Sequence, residues 1–324
     1  MSCNSCYKDI ESGFCSSCKR KLFDRSDVPV QLDFNWSDLK EFKQANPKTF
    51  SMSGMQSKGY ISRLRNKLVI PTDKSYLYMI KPAISKSGTT FSEESPVNEH
   101  LTMTMAENIF KINTALSALL RFKDGKWAYV TKLFDRDNKG NRLLLEDFAS
   151  ILNAIPKTEN DDSYKYEAST YFSIGEKLSF IDKLKFIKIL IYNFAIGNCD
   201  AHLKNFSLIE SSDKDMIYSP AYDLMNTRLH IYQDKYPALN FGPGFERGFD
   251  ISESKHKYDY MSFVILGEKL GLDEENIYEI LKEFKNKKDE VLQFVTQSFL
   301  TEKAKIHYNR IVMEQYKQLN LKEI

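Results

Sequence analysis

The sequence has no long apolar run and no large excess of charge of either sign. Its 46 Lys plus Arg are balanced by 44 Asp plus Glu, which leaves a net charge of +2. Overall charge therefore gives no reason to expect binding to nucleic acid or to a bilayer surface. No segment approaches the roughly 18 apolar residues of a membrane span, and the first residues, MSCNSCYKDIESGF, lack the apolar core of a signal peptide. We expect a cytoplasmic protein with no membrane contact, which holds any anionic ligand through local groups.

Cysteine is scarce and unevenly placed, because four of the five cysteines, Cys3, Cys6, Cys15 and Cys18, fall within the first 18 residues. In a reducing compartment such a pattern favours metal ligation over disulfides. Two C-x2-C pairs supply enough thiolates to close a tetrahedral structural zinc site, although their spacer of eight residues is shorter than in common zinc ribbons. Free thiols and redox pairs are the alternatives. We predict a zinc-knuckle-like module over residues 1–35 that holds Zn²⁺.

The rest of the chain divides into a strand-rich part and a helical part. Residues 36–135 contain the short β-type runs KLVIPT, SYLYMIK and KWAYVTKLF, together with a helix that opens at SPVNEH with Ser95 as N-cap and Pro96 in the first helical position. Residues 136–324 contain the apolar helix within KLSFIDKLKFIKILIYNFAIGN, a hairpin formed by FSLIE and MIYSP, and three amphipathic helices from about Asp259. These two parts are the expected lobes of the fold.

The stretch GNCDAHLKNFSL places several polar side chains in a loop directly after an apolar helix. In protein kinases the catalytic loop carries an Asp that accepts the substrate hydroxyl proton and, five positions later, an Asn that holds magnesium. Asp200 and Asn205 have this spacing, and Asp223 follows the predicted hairpin, where a second magnesium-binding Asp is expected. Lys204 could place positive charge near the transferred phosphoryl group. The alternative is that these side chains only cap the loop and bind its backbone.

Other parts of a kinase site occur upstream in the expected order. Lys81 ends the run SYLYMIK, where a kinase places the lysine that binds nucleotide phosphates, and Glu99 on the next helix is its natural partner. The segment FSMSGMQSKGYISRL lacks G-x-G-x-x-G, but it could turn at Gly54 and offer N–H groups to phosphate. KLFDRDNKG would then be the hinge, with the backbone near Leu133 and Phe134 meeting adenine.

Taken singly, each upstream residue has an ordinary alternative: Lys81 as a lysine at a strand end, Glu99 as a glutamate on a solvated helix face. Their joint order favours a protein-kinase-like, two-lobed α+β fold. Its N-lobe is small and strand-rich, and its C-lobe is larger and helical.

The chain resembles the HipA-like serine/threonine kinase toxins of bacterial toxin–antitoxin systems. GNCDAHLKNFSL is similar to that family's catalytic signature, and SMSGMQSK, LYMIKP, NEH, LFDR and SPAYDLM occur in the family's order, over about residues 45–315. The resemblance implies a kinase that uses ATP and Mg²⁺, with Asp200 as catalytic base, Asn205 and Asp223 on magnesium, and Lys81 on ATP.

The resemblance also implies a regulatory site and partners. Ser51 and Ser53 correspond to serines in the family's Gly-containing loop, whose autophosphorylation is associated with inactivation. The family phosphorylates aminoacyl-tRNA synthetases. A DNA-binding, HipB-like antitoxin neutralises the kinase, so we expect the kinase to be linked to DNA only through the antitoxin. About 50 residues precede the loop here, fewer than in full-length members. The chain is thus similar to the short, HipT-like form, whose missing subdomain is a separate small protein, while the cysteine module departs from the family pattern.

Two other functions fit parts of the sequence. One is a catalytically silent, kinase-like module that sequesters an antitoxin or helps it repress DNA, with the zinc knuckle as a contact surface. The other is a kinase that acts on a small molecule or lipid head group. A silent fold has no physical need to keep Asp200, Asn205, Asp223, Lys81 and Glu99 together, and this favours an active protein kinase.

Overall fold

The computed structural model describes residues 2–45, 57–71, 76–136, 141–154, 169–233, 237–243, 245 and 258–324. The strands are β1 Gly59–Leu64, β2 Lys67–Val69, β3 Tyr78–Lys81, β4 Ser117–Arg121, β5 Trp127–Lys132, β6 Leu145–Asp147, β7 Ser207–Glu210 and β8 Met216–Tyr218. The α-helices are α1 Ser16–Phe23, α2 Trp36–Ala45, α3 Ser95–Asn108, α4 Phe148–Ile151, α5 Tyr171–Gly175, α6 Phe180–Ile196, α7 Tyr260–Lys269, α8 Glu274–Thr296 and α9 Glu302–Leu319. Within these ranges, none of the helices has both the length and the apolar character that a bilayer crossing requires.

The N-lobe is built on a five-stranded sheet in the order β2-β1-β3-β5-β4, and every neighbouring pair is antiparallel. The three predicted runs form β2, β3 and β5, which confirms the strand-rich part of the sequence. Lys81 is the last residue of β3 and pairs with Tyr129 of β5. The sheet therefore fixes the backbone position of this lysine.

Helix α3 packs against β4 and β5 and is buried along nearly its whole length. The prediction that Ser95 caps it is wrong by one residue, because a 3₁₀ turn over Ser92–Glu94 runs directly into the helix and puts Glu94 in the cap position. The Ser95 hydroxyl instead accepts a hydrogen bond from the Ile84 N–H at 2.8 Å and donates to the Ser92 carbonyl at 2.9 Å.

The cysteine-containing segment lies against the N-lobe sheet. Its apolar side chains share one buried cluster with those of the sheet, with Phe14, Leu22, Phe23 and Leu32 on one side and Ile61, Ile80, Ala118 and Val130 on the other. Backbone hydrogen bonds join the two parts as well, since the Leu119 N–H donates to the Asn4 carbonyl at 2.8 Å. This segment is thus part of the N-lobe core.

The C-lobe is organised around α6, which matches the predicted apolar helix. The Ser179 side chain accepts from the Asp182 N–H at its start, and Gly197 ends it in a left-handed conformation with φ of 77°. Helices α7, α8 and α9 confirm the three amphipathic helices predicted from the sequence. The predicted hairpin forms β7 and β8, which with β6 make a small antiparallel sheet.

Candidate functional site

A cavity of about 500 Å³ lies between the two lobes. Among the residues that line it are eight of those predicted from the sequence: Lys81, Glu99, Leu133, Phe134, Asp200, Lys204, Asn205 and Asp223. The strand-rich lobe contributes the first four and the helical lobe the other four. The predictions for Gly54, Ser51 and Ser53 lie outside the described residues.

Lys81 is the centre of the polar contacts in this cavity. Its ammonium Nζ lies 2.7 Å from Glu99 Oε1 and 2.5 Å from Asp223 Oδ1. Burial alone would lower the pKa of Lys81, but the charges of Asp223 and Glu99 outweigh it and raise the pKa above the ordinary value. Lys81 therefore stays charged and joins the two lobes through one ion-pair network.

Glu99 occupies an unusual environment for a carboxylate. Its side chain is only 1% exposed, and Oε2 is buried with no hydrogen-bond partner among the residues that the structure describes. Burial raises the pKa of Glu99 to about 7 even though Lys81 opposes the shift. The side chain is thus poised between its charged and neutral forms near neutral pH.

The predicted catalytic loop begins where Gly197 ends α6. Its backbone is held by its own side chains, because the Asp200 N–H donates to Asn198 Oδ1 at 3.1 Å and the His202 N–H donates to Asn205 Oδ1 at 2.9 Å. The Lys204 N–H donates to His202 Nδ1 at 3.2 Å. Burial lowers the pKa of His202 to about 4, so the ring is neutral and this nitrogen can accept. The capping alternative is therefore partly correct, since His202 and Asn205 do cap the loop.

Asp223 lies opposite this loop, a few residues after β8. Its backbone has φ of 59°, a conformation that is uncommon for residues other than glycine and is often found at functional sites. The neighbouring Tyr222 hydroxyl donates to the Lys204 carbonyl at 2.7 Å. Burial raises the pKa of Asp223, but the charge of Lys81 dominates and lowers it to about 2. Asp223 is therefore ionised at any physiological pH.

Asn205 and Asp223 fit the requirements of a magnesium site in residue type and proximity. Asn205 Nδ2 donates to Asp223 Oδ2 at 2.9 Å, so the two side chains meet directly. Magnesium takes oxygen ligands and completes its shell with water and phosphate. Since the amide nitrogen faces the carboxylate, an ion held by both residues would have to replace this hydrogen bond and take the amide oxygen.

The cavity also contains a lysine whose role could not be predicted from the sequence. Lys58, just before β1, lines the same space as Lys81 and Asp223. Burial and the charge of Lys81 lower the pKa of Lys58. The sequence feature that could have indicated a role for Lys58 is its position directly before the strand, in the segment SMSGMQSK.

Leu133 and Phe134, the residues of the predicted hinge, line the cavity. The Leu133 N–H donates to the Leu77 carbonyl at 2.9 Å, so it is occupied within the N-lobe. The Phe134 ring lies 5.6 Å from the ring of Tyr222, centroid to centroid. An adenine ring bound here would therefore hydrogen-bond with backbone groups other than the Leu133 N–H. It would lie beside the rings of Phe134 and Tyr222.

The second candidate site is the cluster of Cys3, Cys6, Cys15 and Cys18, whose sulfur atoms all lie within 4.8 Å of one another. All four are free of disulfides. The sulfurs of Cys6 and Cys15 are 3.7 Å apart, and the Cys15 N–H donates to Cys3 Sγ at 3.3 Å. With Zn–S bonds of about 2.3 Å, tetrahedral geometry separates two sulfurs by about 3.8 Å. The residues present thus fit a structural zinc ion.

A known family model covers the kinase-like part of the chain. The family model of the HipA-like C-terminal domain matches residues 50–292. This range contains all of the predicted kinase residues and none of the clustered cysteines.

Two of the relatives that are named as putative kinases show how much of the chain is shared. The protein of Haemophilus influenzae named "Putative kinase" is 24% identical over 310 residues, which cover 89% of this chain and 87% of that protein. "Putative kinase Y4dM" of Sinorhizobium fredii is 38% identical over 118 residues, but these cover only 35% of this chain and 27% of that protein. The chain thus spans most of one relative and about a quarter of the other.

Solved structures show the same fold. HipA of Shewanella oneidensis, determined with HipB and operator DNA, superposes with a TM-score of 0.64 at 17% identity, covering 89% of this chain and 72% of that one. The Helicobacter pylori proinflammatory kinase CtkA superposes with a TM-score of 0.50 at 15% identity, covering 81% and 91%. The two-lobed kinase-like fold is confirmed, and the chain belongs to the HipA-like C-terminal domain family.

Proposed function

We propose that the protein is a serine/threonine protein kinase of the HipA toxin type, which transfers the γ-phosphoryl group of ATP to a protein hydroxyl and depends on Mg²⁺. The observation that supports this proposal most directly is that Lys81 contacts both Glu99 and Asp223, within 2.7 Å, in the cavity between the lobes. Phosphoryl transfer needs positioning and charge stabilisation more than covalent chemistry. A charged lysine, an ionised aspartate and an amide on facing lobes supply both.

Lys81 would bind and orient the nucleotide phosphates. Its ammonium is fixed on one side by Glu99 at 2.7 Å and stays charged. When phosphates enter, its contact with Asp223 can be exchanged for a phosphate oxygen, which frees Asp223. Lys204 lines the same cavity and would add positive charge near the transferred group.

Asp223 and Asn205 would hold the metal. Magnesium bound there would neutralise the phosphate charge that develops during transfer. Asp223 is suited to this role because it stays ionised, with a pKa of about 2. Asn205 is held 2.9 Å from it by the loop that its own side chain caps.

Asp200 would act as the catalytic base. It lines the cavity on the loop that also carries Asn205, and its backbone is fixed by Asn198. As the serine or threonine oxygen attacks the γ-phosphorus, Asp200 accepts the hydroxyl proton, and the bond to the leaving ADP oxygen breaks. The products are a phosphoester and ADP.

The assignment to the HipA type extends to partners and regulation. We assign a HipB-like, DNA-binding antitoxin as the neutralising partner, supported by the HipB complex of the Shewanella oneidensis relative. An aminoacyl-tRNA synthetase is the assigned substrate class, a separate small protein is assigned as a further partner, and Ser51 or Ser53 would be the site of autophosphorylation. These assignments follow from the resemblance in sequence.

The proposal also assigns a structural Zn²⁺ to the four-cysteine cluster. Four thiolates fill a tetrahedral shell and leave no open position for chemistry. The ion would therefore stabilise the segment around Cys3–Cys18 and take no part in phosphoryl transfer.

Phosphate transfer from γ-labelled ATP tests the function. Wild-type protein is incubated with Mg²⁺ and a panel of purified aminoacyl-tRNA synthetases, beside Asp200→Asn and Asp223→Asn. Asp213→Asn is the matched control, because Asp213 is exposed in the turn between β7 and β8. We expect phosphoserine or phosphothreonine with wild type and control only. ATP binding without any transfer would indicate a silent module, and labelling confined to small molecules or lipid would indicate a different kinase class.

A further inference from the structure

The cysteine knuckle, the segment that contains Cys3, Cys6, Cys15 and Cys18, lies next to α3, the helix that carries Glu99. Three side chains of α3, His100, Thr104 and Asn108, contact the loop Cys3–Tyr7. Asn108 Nδ2 donates to a carbonyl of this loop at 3.3 Å, and Thr104 Oγ1 lies 3.3 Å from another. His100 Nδ1 lies 3.1 Å from the Tyr7 hydroxyl. Residues spaced by four lie on one side of a helix. One face of α3 therefore contacts the knuckle.

Tyr7 makes the most extensive of these contacts. Its side chain is 7% exposed, and its ring centroid lies 5.2 Å from that of His100 and 5.3 Å from those of Phe294 and Phe299. Since Phe294 belongs to α8, Tyr7 is inserted between an N-lobe helix and the C-lobe. The knuckle thus reaches the hydrophobic core that surrounds α3, α6 and α8.

The backbone of Tyr7 explains why this placement depends on the knuckle. Its φ is 61°, in the left-handed region, although tyrosine has a Cβ atom. Such a conformation persists only where the surroundings enforce it. Here the Tyr7 N–H donates to the Cys3 carbonyl at 3.1 Å, and Cys6 is the preceding residue. The conformation of the loop that carries the cysteines therefore holds the Tyr7 ring against α3.

Two other sides of α3 contact the kinase site and the C-lobe. Glu99 binds Lys81, one residue before the His100 that meets the knuckle. Asn98 Nδ2 donates to the Asn226 carbonyl at 2.9 Å, three residues after Asp223. A rotation or shift of α3 by loss of the knuckle contacts would thus move Glu99 relative to Lys81.

We infer that Tyr7 is a positioning residue for the Lys81–Glu99 pair and that the metal-bound four-cysteine knuckle holds it in place. The inference rests on the proposed kinase function and zinc site, and it adds a role for a module outside the family match at residues 50–292. Four metal–sulfur bonds would keep the loop closed, and Tyr7 would transmit this constraint to α3. Loss of the metal would lower the rate of phosphoryl transfer by moving Glu99 relative to Lys81, without a chemical change to any side chain that lines the cavity.

Tyr7→Phe tests the positioning role, because it keeps the ring and removes only the hydroxyl that meets His100. We expect full metal content, a KM for ATP within about twofold of wild type, and kcat lower by about fivefold, as for one lost buried hydrogen bond expressed at the transition state. Tyr78→Phe is the control, because it removes a buried hydroxyl that donates to the Leu22 carbonyl of α1 at 2.7 Å. A similar kcat loss in the control, or wild-type kcat in Tyr7→Phe and in the more severe Tyr7→Leu, would overturn the inference.

Hydrogen–deuterium exchange tests the link to the metal without relying on activity. Wild-type protein is compared before and after treatment with a zinc-selective chelator in the presence of Mg²⁺, with metal loss checked by elemental analysis. We expect faster exchange in α3, residues 95–108, while α9 keeps its protection. Unchanged exchange in α3 after metal loss, or the absence of bound metal in protein purified without chelator, would refute the coupling.

The two experiments separate this inference from the kinase proposal. If wild type transfers no phosphate, the kinase function fails and exchange alone decides the coupling. If wild type is an active kinase but α3 is unaffected by metal loss, only the coupling fails. If metal removal unfolds the whole chain, the Tyr7→Phe variant decides, because it retains the metal.

Discussion

Replacing Glu99 with glutamine should make the protein more stable at neutral pH and yet less active. Gln keeps the shape of the side chain and an oxygen that can accept from Lys81, 2.7 Å away, but it removes a carboxylate that is costly to bury. Lys81 retains a charged partner, because Asp223 lies 2.5 Å from the same nitrogen. The variant therefore leaves no unpaired buried charge.

The magnitude follows from the pKa of Glu99, which burial raises from 4.5 to about 7. A carboxyl group with a raised pKa stabilises the fold at pH values below 4.5, where it is protonated in both states, and this contribution is lost as pH rises through 7. At about 1.4 kcal/mol for each pKa unit, the loss amounts to about 3 kcal/mol between pH 4.5 and pH 8. Glutamine does not titrate, so the variant escapes this loss.

The assay is urea unfolding of wild type and Glu99→Gln at pH 5, 6, 7 and 8, with Glu93→Gln as control because Glu93 is exposed just before α3. We expect the stability of wild type relative to Glu99→Gln to fall by about 2.5 kcal/mol over this range, and the control to follow wild type. Phosphoryl transfer by Glu99→Gln should be lower by tenfold to about a hundredfold, because a neutral amide oxygen would then hold Lys81 in place of the Glu99 carboxylate. A stability difference that is flat with pH, or that favours wild type as pH rises, would refute the reasoning.

Three further outcomes are expected. Gly197→Ala should lower the free energy of unfolding by about 1–3 kcal/mol, because the residue has φ of 77° and a Cβ atom would lie 2.7 Å from Ile311 Cγ2; a thermal melt equal to wild type would contradict this. Lys58→Met should raise the KM for ATP several-fold with little change in the melting temperature, since Lys58 lines the cavity beside Lys81; an unchanged KM would exclude a phosphate contact. Elemental analysis should find one zinc ion per chain, and a stoichiometry near zero would remove the zinc site.

The kinase-like site could be predicted because its signals are local in the sequence. Asp200 and Asn205 are separated by a fixed spacing in one loop, and Lys81 ends a strand whose apolar pattern is clear. The structure brings these residues to one cavity with Asp223, as the order of the elements suggested. Glycine at the end of α6 marked the start of the loop in the same way.

Other features depend on contacts between distant parts of the chain. Nothing local in the sequence indicates that Tyr7 packs on Phe294 and Phe299, almost 300 residues away. The pKa of Glu99 depends on burial by several elements and on Asp223, 124 positions further along the sequence. Such effects arise from packing, which a linear pattern does not encode position by position.

The cap of α3 shows a smaller limit of sequence reasoning. Ser95 has the residue type of an N-cap and precedes a proline, but the 3₁₀ turn over Ser92–Glu94 extends the helical backbone upstream. Serine then uses its hydroxyl to bind the Ile84 N–H. Tertiary contacts thus shifted the helix start by one residue. The roles of Gly54, Ser51 and Ser53 stay predictions from the sequence.

The most direct test of the kinase account is intact-mass spectrometry of phosphatase-treated protein before and after incubation with Mg²⁺ and ATP, with Asp223→Asn beside wild type. The account predicts that wild type gains the mass of one or two phosphoryl groups, mapped to Ser51 or Ser53, and that Asp223→Asn gains none. An equal gain in both proteins, or no phosphate on wild type and none on any added synthetase, would contradict it.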